Sequence, residues 1–132
     1  MAHAALPSVD EVLDPFFAAI TRGDVDTIAA FYAPDVQVWH NITRTALDKA
    51  AAVDVLRRFT ARVQDIRYEV LDRFADGNRV VQRHVLHGRA PGGTLAANVC
   101  IVFELANGRI TRIFEYLDGA DIAVLSLSAQ RG

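Results

Sequence analysis

The sequence is poor in the features that mark several large protein classes. It has one cysteine, Cys100, so an intrachain disulfide is excluded, and this usage is typical of a reducing cytoplasm. A formal net charge of −2 gives no reason to expect a nucleic acid or an anionic membrane as partner. No apolar run approaches the ~20 residues of a membrane-spanning helix. Met1 to Pro7 lacks the basic start and apolar segment of a signal peptide, and we expect a cytoplasmic protein.

The remaining composition is that of a soluble globular protein, with 52% hydrophobic and 23% charged residues. A chain of 132 residues can bury roughly two thirds of the surface that it exposes when unfolded. We therefore expect a single domain over residues 1–132, with an ordered core of about 8–127.

The first helix is predicted from a capping box and an apolar stripe. Ser8 and Glu11 have the spacing of a capping box, and apolar residues follow at intervals of three and four as far as Ile20. Pro15 leaves two alternatives open. The helix kinks there, or a separate helix begins with Asp14 as its cap and Pro15 as its first residue.

Further helices and a short strand follow. Asp24 can cap a second helix from Val25 to about Tyr32, and Val36 to Asn41 reads as a strand with no plainly polar face. Asp48 can cap a third helix, whose apolar stripe runs to Val63.

From Ile66 onward the apolar period changes to two, which indicates β-strands. Asn107-Gly108 predicts a tight hairpin, because both residues tolerate the positive φ angles of a type I′ turn. The predicted strands form an antiparallel meander: Ile66 to Ala75, Val80 to Arg89, Leu95 to Leu105 and Arg109 to Asp118. A last helix begins at Asp118-Gly119 and reaches Leu125, and the tail from Ser126 looks frayed. Helices segregated from antiparallel strands predict an α+β fold.

Glu115 is an acid on an otherwise apolar strand face. Its same-face neighbours, Ile113 and Leu117, are both apolar. If the hairpin register turns this face inward, Glu115 is a carboxylate in apolar surroundings, which makes it a candidate for acid–base chemistry.

Four phrases stand at fixed places in this order of elements: Arg22-Gly23-Asp24-Val25-Asp26, Tyr32-Ala33-Pro34-Asp35-Val36, Gly108-Arg109-Ile110-Thr111-Arg112 and Glu115-Tyr116-Leu117-Asp118. Together with the order of elements, these phrases resemble the SnoaL-like branch of the nuclear-transport-factor-2-like superfamily. The resemblance covers roughly Val9 to Leu125. It implies a cone, in which a strongly curved, mainly antiparallel sheet wraps around the N-terminal helices and encloses a pocket. Members include polyketide cyclases, ketosteroid isomerases, limonene epoxide hydrolases and non-catalytic binding domains, so the fold leaves the function open.

The enzyme pattern that fits best is similar to that of limonene epoxide hydrolases. Glu115 falls where that family has an Asp on the last strand, and Gln82 and His84 fall at its Arg and its other Asp. Trp39-His40-Asn41 falls on its Tyr-x-Asn. The Asp-Arg-Asp triad is therefore absent, and epoxide opening by that route is not expected. Proton transfer stays open, because the cyclases and isomerases of the superfamily use an Asp or His base on the same wall.

This overlay also implies which residues line the pocket and contact a small apolar or cyclic molecule. On the concave face of the sheet they are Trp39, Asn41, Gln82, His84, Leu86, Val99, Ile101, Ile113, Glu115 and Leu117. From the helix side we expect Phe16, Ile20 and Tyr32 to close the pocket.

His84 and Glu115 are the predicted catalytic pair. A carboxylate that accepts from one imidazole nitrogen makes the other nitrogen a better base. His84 would then be the base and Glu115 its partner, while Asn41 or Gln82 positions a substrate oxygen. The same pair could contact a ligand without catalysis, or could be purely structural. Two functions therefore remain: an isomerase, cyclase or hydrolase working by proton transfer, or a ligand-binding module without turnover.

No metal or organic cofactor is expected. His84 and His87 are three residues apart on a strand and face opposite sides, so they cannot bind one ion. The outer face of the meander is too apolar to remain exposed to solvent. Apolar surfaces of this kind are typical of protein interfaces. The family resemblance implies a homodimer through this face, which carries Val85, Cys100, Val102, Phe114 and Tyr116.

Overall fold

A computed structural model of the chain describes residues 8–125. Residues 1–7 and 126–132, which include the predicted frayed tail and the last two residues of the predicted ordered core, lie outside the described residues. The elements are α1 (Val9–Thr21), α2 (Val25–Phe31), β1 (Tyr32–His40), β2 (Ala46–Leu47), α3 (Lys49–Arg62), β3 (Gln64–Asp76), β4 (Arg79–Ala90), β5 (Gly93–Ala106), β6 (Arg109–Leu117) and a 3-10 helix (Gly119–Ile122).

The α1 helix is continuous, and its predicted capping box is formed. The Ser8 hydroxyl accepts from the backbone N–H of Glu11, whose carboxylate accepts from the backbone N–H of Ser8. Pro15 lies inside the helix, so no second helix begins at Asp14. Within residues 8–125, no helix has the length and apolar content needed to cross a membrane.

The strands form one sheet in the order β2-β1-β6-β5-β4-β3. Every neighbouring pair is antiparallel except β1 and β6, which run parallel. The two-residue strand β2 was not predicted, since a segment this short carries no periodicity. One face of the sheet shares a hydrophobic core with the three helices, and the predicted α+β fold class is confirmed.

The last hairpin has the predicted turn. Asn107 and Gly108 have φ angles of 54° and 76°, as a type I′ turn requires. The resulting register places Glu115 of β6 opposite the buried Ile101 of β5. Glu115 therefore lies on the inner face, as the alternation predicted.

The inner face of β1 is the one opposite to the face that was predicted. Val36 and Val38 are buried in the core, and His40 follows them on the same side. Trp39 instead lies on the outer face, with its ring centroid 5.3 Å from that of Tyr116. The prediction that Trp39 faces the pocket is wrong, because a shift of one residue reverses every side chain of a strand.

The outer face of the sheet carries an apolar row across five strands. Register pairs place Phe74, Val81, Val102, Phe114 and Trp39 side by side. Cys100 and Tyr116 form the adjacent pair. Tyr116 is 46% exposed and Phe74 is 61% exposed. We call the set Trp39, Phe74, Val81, Cys100, Val102, Phe114 and Tyr116 the outer apolar face. Of the predicted outer residues, Val85 lies on the same side, beyond Arg83.

The end of α3 packs closely against β4 at Gly88. A Cβ atom at this position would overlap the Cγ1 atom of Val63, and Val63 is itself buried. We expect Gly88→Ala to destabilise the fold by about 1–3 kcal/mol through overpacking. Chemical denaturation measures the loss. Gly119→Ala is the matched control, because a Cβ there would meet only ordinary van der Waals contact.

The double variant Gly88→Ala/Val63→Ala separates overpacking from other effects. The double variant should lose less free energy of unfolding than the two single variants lose together, since Val63→Ala removes the overlapping methyl group. Strict additivity would contradict the proposed overlap.

Candidate active site

A cavity of about 60 Å³ lies between the helices and the inner face of the sheet. Six of the predicted site residues line it: Phe16, Ile20, Tyr32, Ile101, Ile113 and Glu115. The wall is completed by Phe17, Val38, His40, Ala52, Val55, Leu56 and Tyr68. Most of these groups are apolar, so the few polar atoms among them define what the cavity can do.

Glu115 is paired with His40. Their Nε2 and Oε1 atoms are 2.8 Å apart, and each side chain keeps 22% of its surface exposed. The parallel register of β1 and β6 places the two residues side by side. The hydrogen bond to Glu115 raises the pKa of His40; burial opposes this effect, and the negative charge of Glu115 adds to it. His40 therefore favours the imidazolium form beside the carboxylate.

Sequence reasoning missed His40 because β1 was assigned the opposite face. The alternation of Val36, Val38 and His40 was the available signal, since two β-branched residues on one face indicate the buried side of a strand.

Two tyrosines face the same cavity. Tyr32 is only 2% exposed, and Tyr68 lies beside Phe17 at a centroid distance of 4.6 Å. Burial raises the pKa of both phenols well above the usual value, and the charge of Glu115 raises each further. Neither hydroxyl has a hydrogen-bond partner within residues 8–125. Both therefore stay protonated and are available as donors. Tyr68 was not predicted, because the family overlay assigned no residue of β3 to the pocket.

The predicted pair of His84 and Glu115 is not formed. Gln82 Nε2 donates to His84 Nδ1 at 2.8 Å, while Glu115 bonds His40. The register explains the error: Glu115 lies level with Ile101, and Ile101 lies level with Gln82, so His84 is one pair further along β4. Both residues still face inward.

His84 is held in its neutral form. Burial lowers the pKa of His84 to about 4; the charge of Glu115 opposes this shift and that of Arg73 adds to it. Its Nδ1 lone pair is occupied by Gln82, so a neutral His84 has its proton on Nε2 and no lone pair to offer as a base.

The other residues predicted to contact a ligand either bond another part of the protein or lie outside the cavity wall. The Asn41 amide bonds the backbone of Leu117 in both directions, at 3.0 Å each, so it does not reach for a ligand. Leu86 packs on the core without lining the cavity, whereas Asn41, His84, Val99 and Leu117 line a separate surface groove of about 470 Å³. His87 faces the other side from His84, as predicted, and lies 2.8 Å from Glu69.

Comparison with known proteins agrees with this architecture. The sequence model of the SnoaL-like domain matches residues 13–113. No protein of curated function matches the chain significantly.

Solved structures with the same fold include proteins with different activities. An LEH-like epoxide hydrolase of M. tuberculosis is 25% identical over 90% of both chains, with a TM-score of 0.72. A protein from Catenulispora acidiphila with a ketosteroid isomerase-like fold is 16% identical over 92% of this chain and 95% of its own, with a TM-score of 0.77. The BvnE pinacolase of Penicillium brevicompactum is 9% identical over 91% and 92%, with a TM-score of 0.78.

The match to the family spans most of the chain, and the matched residues include most of the helices and of the sheet described above. The chain therefore belongs to the SnoaL-like domain family.

Proposed function

We propose that this protein is an enzyme that transfers a proton on a small apolar carbonyl compound, with Glu115 as the general base. One observation carries the proposal: a carboxylate oriented by a histidine lines an apolar cavity together with two tyrosines whose hydroxyls bond no other described residue. Isomerisation and ring closure are reactions of this class, since both begin with removal of a proton next to a carbonyl group.

Glu115 has the geometry of a positioned base. His40 Nε2 donates to Oε1 and fixes the carboxylate, while Oε2 makes no hydrogen bond to the described residues. The free oxygen can accept a proton from a carbon held against the apolar wall. A base placed in this way contributes about 10²–10⁴-fold to a rate.

Tyr32 and Tyr68 can stabilise the charge that develops on the substrate oxygen. A proton lost from carbon leaves an enolate, whose oxygen is stabilised by hydrogen-bond donors fixed in advance. Both tyrosines remain protonated across the physiological pH range because burial and Glu115 disfavour their ionised forms. They are therefore donors and not competing bases.

The size of the cavity limits the substrate. Its 60 Å³ equals the liquid volume of about two water molecules, and ligand pockets commonly measure about 300–1,000 Å³. A ring-sized substrate must displace lining side chains from α1 or β3. We therefore propose that the substrate is small. The side chains that move to admit it are the aromatic ones of the cavity wall.

The test of catalysis uses deuterium exchange at the carbon next to the carbonyl, followed by NMR for a panel of small cyclic ketones. Glu115→Gln should lower the exchange rate about 10²–10⁴-fold, and Tyr68→Phe about 10²–10³-fold. Glu104→Gln is the control, because Glu104 lies on the outer face and pairs with Arg79. If wild type and Glu115→Gln bind the ketones equally and exchange equally slowly, the chain is a binding module without turnover.

The pair of His40 and Glu115 predicts a pH dependence of stability. The pKa of His40 is raised in the folded state, so the pair stabilises the fold fully below the unfolded pKa of about 6.5. This contribution is lost as the pH rises through the folded pKa. The free energy of unfolding of wild type relative to His40→Gln should therefore fall as the pH rises above about 6.5. A difference that is constant with pH would contradict the pairing.

We also propose that a second copy of the chain covers the outer apolar face. This face crosses five strands and includes the exposed rings of Phe74 and Tyr116. A face of this kind matches the apolar centre of a homodimer interface.

A charge in the middle of the outer apolar face should separate the subunits. Val102→Lys is expected to sediment as a monomer where wild type sediments as a dimer. Ile42→Lys is the control, since Ile42 is an exposed apolar residue in the loop after β1. A wild type that remains monomeric at high concentration would contradict the dimer.

A further inference from the structure

A chain of hydrogen bonds runs from the surface of α1 to the buried ring of His84. Arg73 Nη1 donates to Asp10 and Asp14, at 2.8 Å each, and Arg73 Nε donates to Gln82 Oε1 at 2.7 Å. The Gln82 amide then meets His84 Nδ1 at 2.8 Å. None of these bonds involves Glu115 or His40, so this network is separate from the proposed base.

Every bond in this network has a determined direction, because an arginine can only donate. Gln82 must present its oxygen to Arg73, so its NH₂ group faces His84 and donates to Nδ1. A neutral imidazole that accepts at Nδ1 has its proton on Nε2. The chain therefore selects one tautomer of His84.

The Nε2–H group of His84 has no acceptor. Within residues 8–125 it is the one buried side-chain nitrogen or oxygen atom without a hydrogen-bond partner, and His84 is 1% exposed. Buried polar groups in native proteins are nearly always bonded, and an exception calls for a cause. The low pKa of His84 is consistent with this neutral form, since burial lowers it to about 4.

Two aromatic rings connect this donor with the cavity. Phe17 and Tyr68 pack against His84 at centroid distances of 5.6 and 5.1 Å, with interplanar angles of 70° and 84°. The same two residues line the 60 Å³ cavity. They also line a surface groove of about 580 Å³ between α1 and β3. Movement of either ring away from His84 would expose the imidazole to a molecule in the cavity. His84 also lines a separate groove of about 470 Å³ with Asn41 and Leu117.

We propose that His84 donates its Nε2–H to a neutral oxygen of the bound molecule when Phe17 or Tyr68 moves aside, and that Arg73 and Gln82 are positioning residues for this donor. A ketone, lactone or ester carbonyl has the required lone pair. A carboxylate ligand is disfavoured because Glu115 already places negative charge on the same wall.

This inference shares its ligand class with the proposed function but does not depend on turnover. A donor to a carbonyl oxygen selects oxygen-bearing ligands in an enzyme and in a binding module alike. It also assigns His84 a role opposite to that of a base, because its proton is offered to the ligand and is not taken from it.

The test is a long-range ¹H–¹⁵N correlation spectrum of the histidine rings in ¹⁵N-labelled protein. We expect His84 to be neutral with its proton on Nε2 at pH 6, while His40 is largely protonated at both nitrogens. Addition of cyclopentanone should shift the Nε2 resonance, and cyclopentane should not. A His84 ring protonated at Nδ1 would overturn the proposal, and so would an Nε2 resonance that saturating ketone leaves unchanged.

Gln82→Glu is the matched variant for the positioning residues. A carboxylate can accept from Arg73 and from His84 Nδ1–H at the same time, so Nδ1 of His84 should gain a proton that it lacks in wild type. His87→Gln is the control, since His87 lies on the outer side near Glu69. If Nδ1 of His84 stays unprotonated in a folded Gln82→Glu variant, Gln82 does not control the protonation of the ring.

Ligand affinity separates this inference from the proposed function. His84→Phe should weaken cyclopentanone binding about five- to tenfold, the effect of one hydrogen bond, and leave cyclopentane binding nearly unchanged. Equal losses for both ligands would contradict the donor. A normal ketone preference without any deuterium exchange would remove the enzyme proposal and leave the donor standing.

Discussion

The parallel pairing of β1 with β6 determines which polar groups meet inside this protein. It places His40 beside Glu115, and by alternation it turns Trp39 outward against Phe114 and Tyr116. A slip of one residue would bring Trp39 into the cavity and leave the Glu115 carboxylate without its partner. The proposed base and the proposed dimer face therefore depend on the same register. Val36 and Val38 stabilise that register because both are buried only in the observed phase.

The elements of this fold were largely predictable because their signals are local. The capping box at Ser8, the turn at Asn107-Gly108 and the alternation that turns Glu115 inward all depend on neighbours in sequence. The partner of Glu115 was not predictable in this way. Whether Glu115 meets His40 or His84 depends on the order and register of strands far apart in the chain, and β1 has apolar residues on both faces. Val36 and Val38 on one face were the only local signal, and Trp39 on the other face competed with it.

The surroundings shift the pKa values of two histidines on the inner face of the sheet in opposite directions. The hydrogen bond to Glu115 raises the pKa of His40, whereas burial lowers that of His84 to about 4. The difference follows from the nearest partner: His40 bonds a carboxylate that stabilises its charge, and His84 bonds a neutral amide that does not. The inner face of the sheet thus carries one histidine whose charge a carboxylate stabilises and another that burial keeps neutral, which suits them to different tasks.

The Arg73 network is better understood as a device for orientation than as a source of stability. Asp10 and Asp14 are largely exposed, and ion pairs with exposed carboxylates contribute little, commonly about 0–1 kcal/mol. Yet Arg73 is mostly buried, and its bond to Gln82 Oε1 leaves only one orientation of that amide. The same contacts hold α1, which carries Phe16 and Phe17, against β3. The surface acids of α1 therefore influence both the cavity wall and the tautomer of His84, because one guanidinium group connects them.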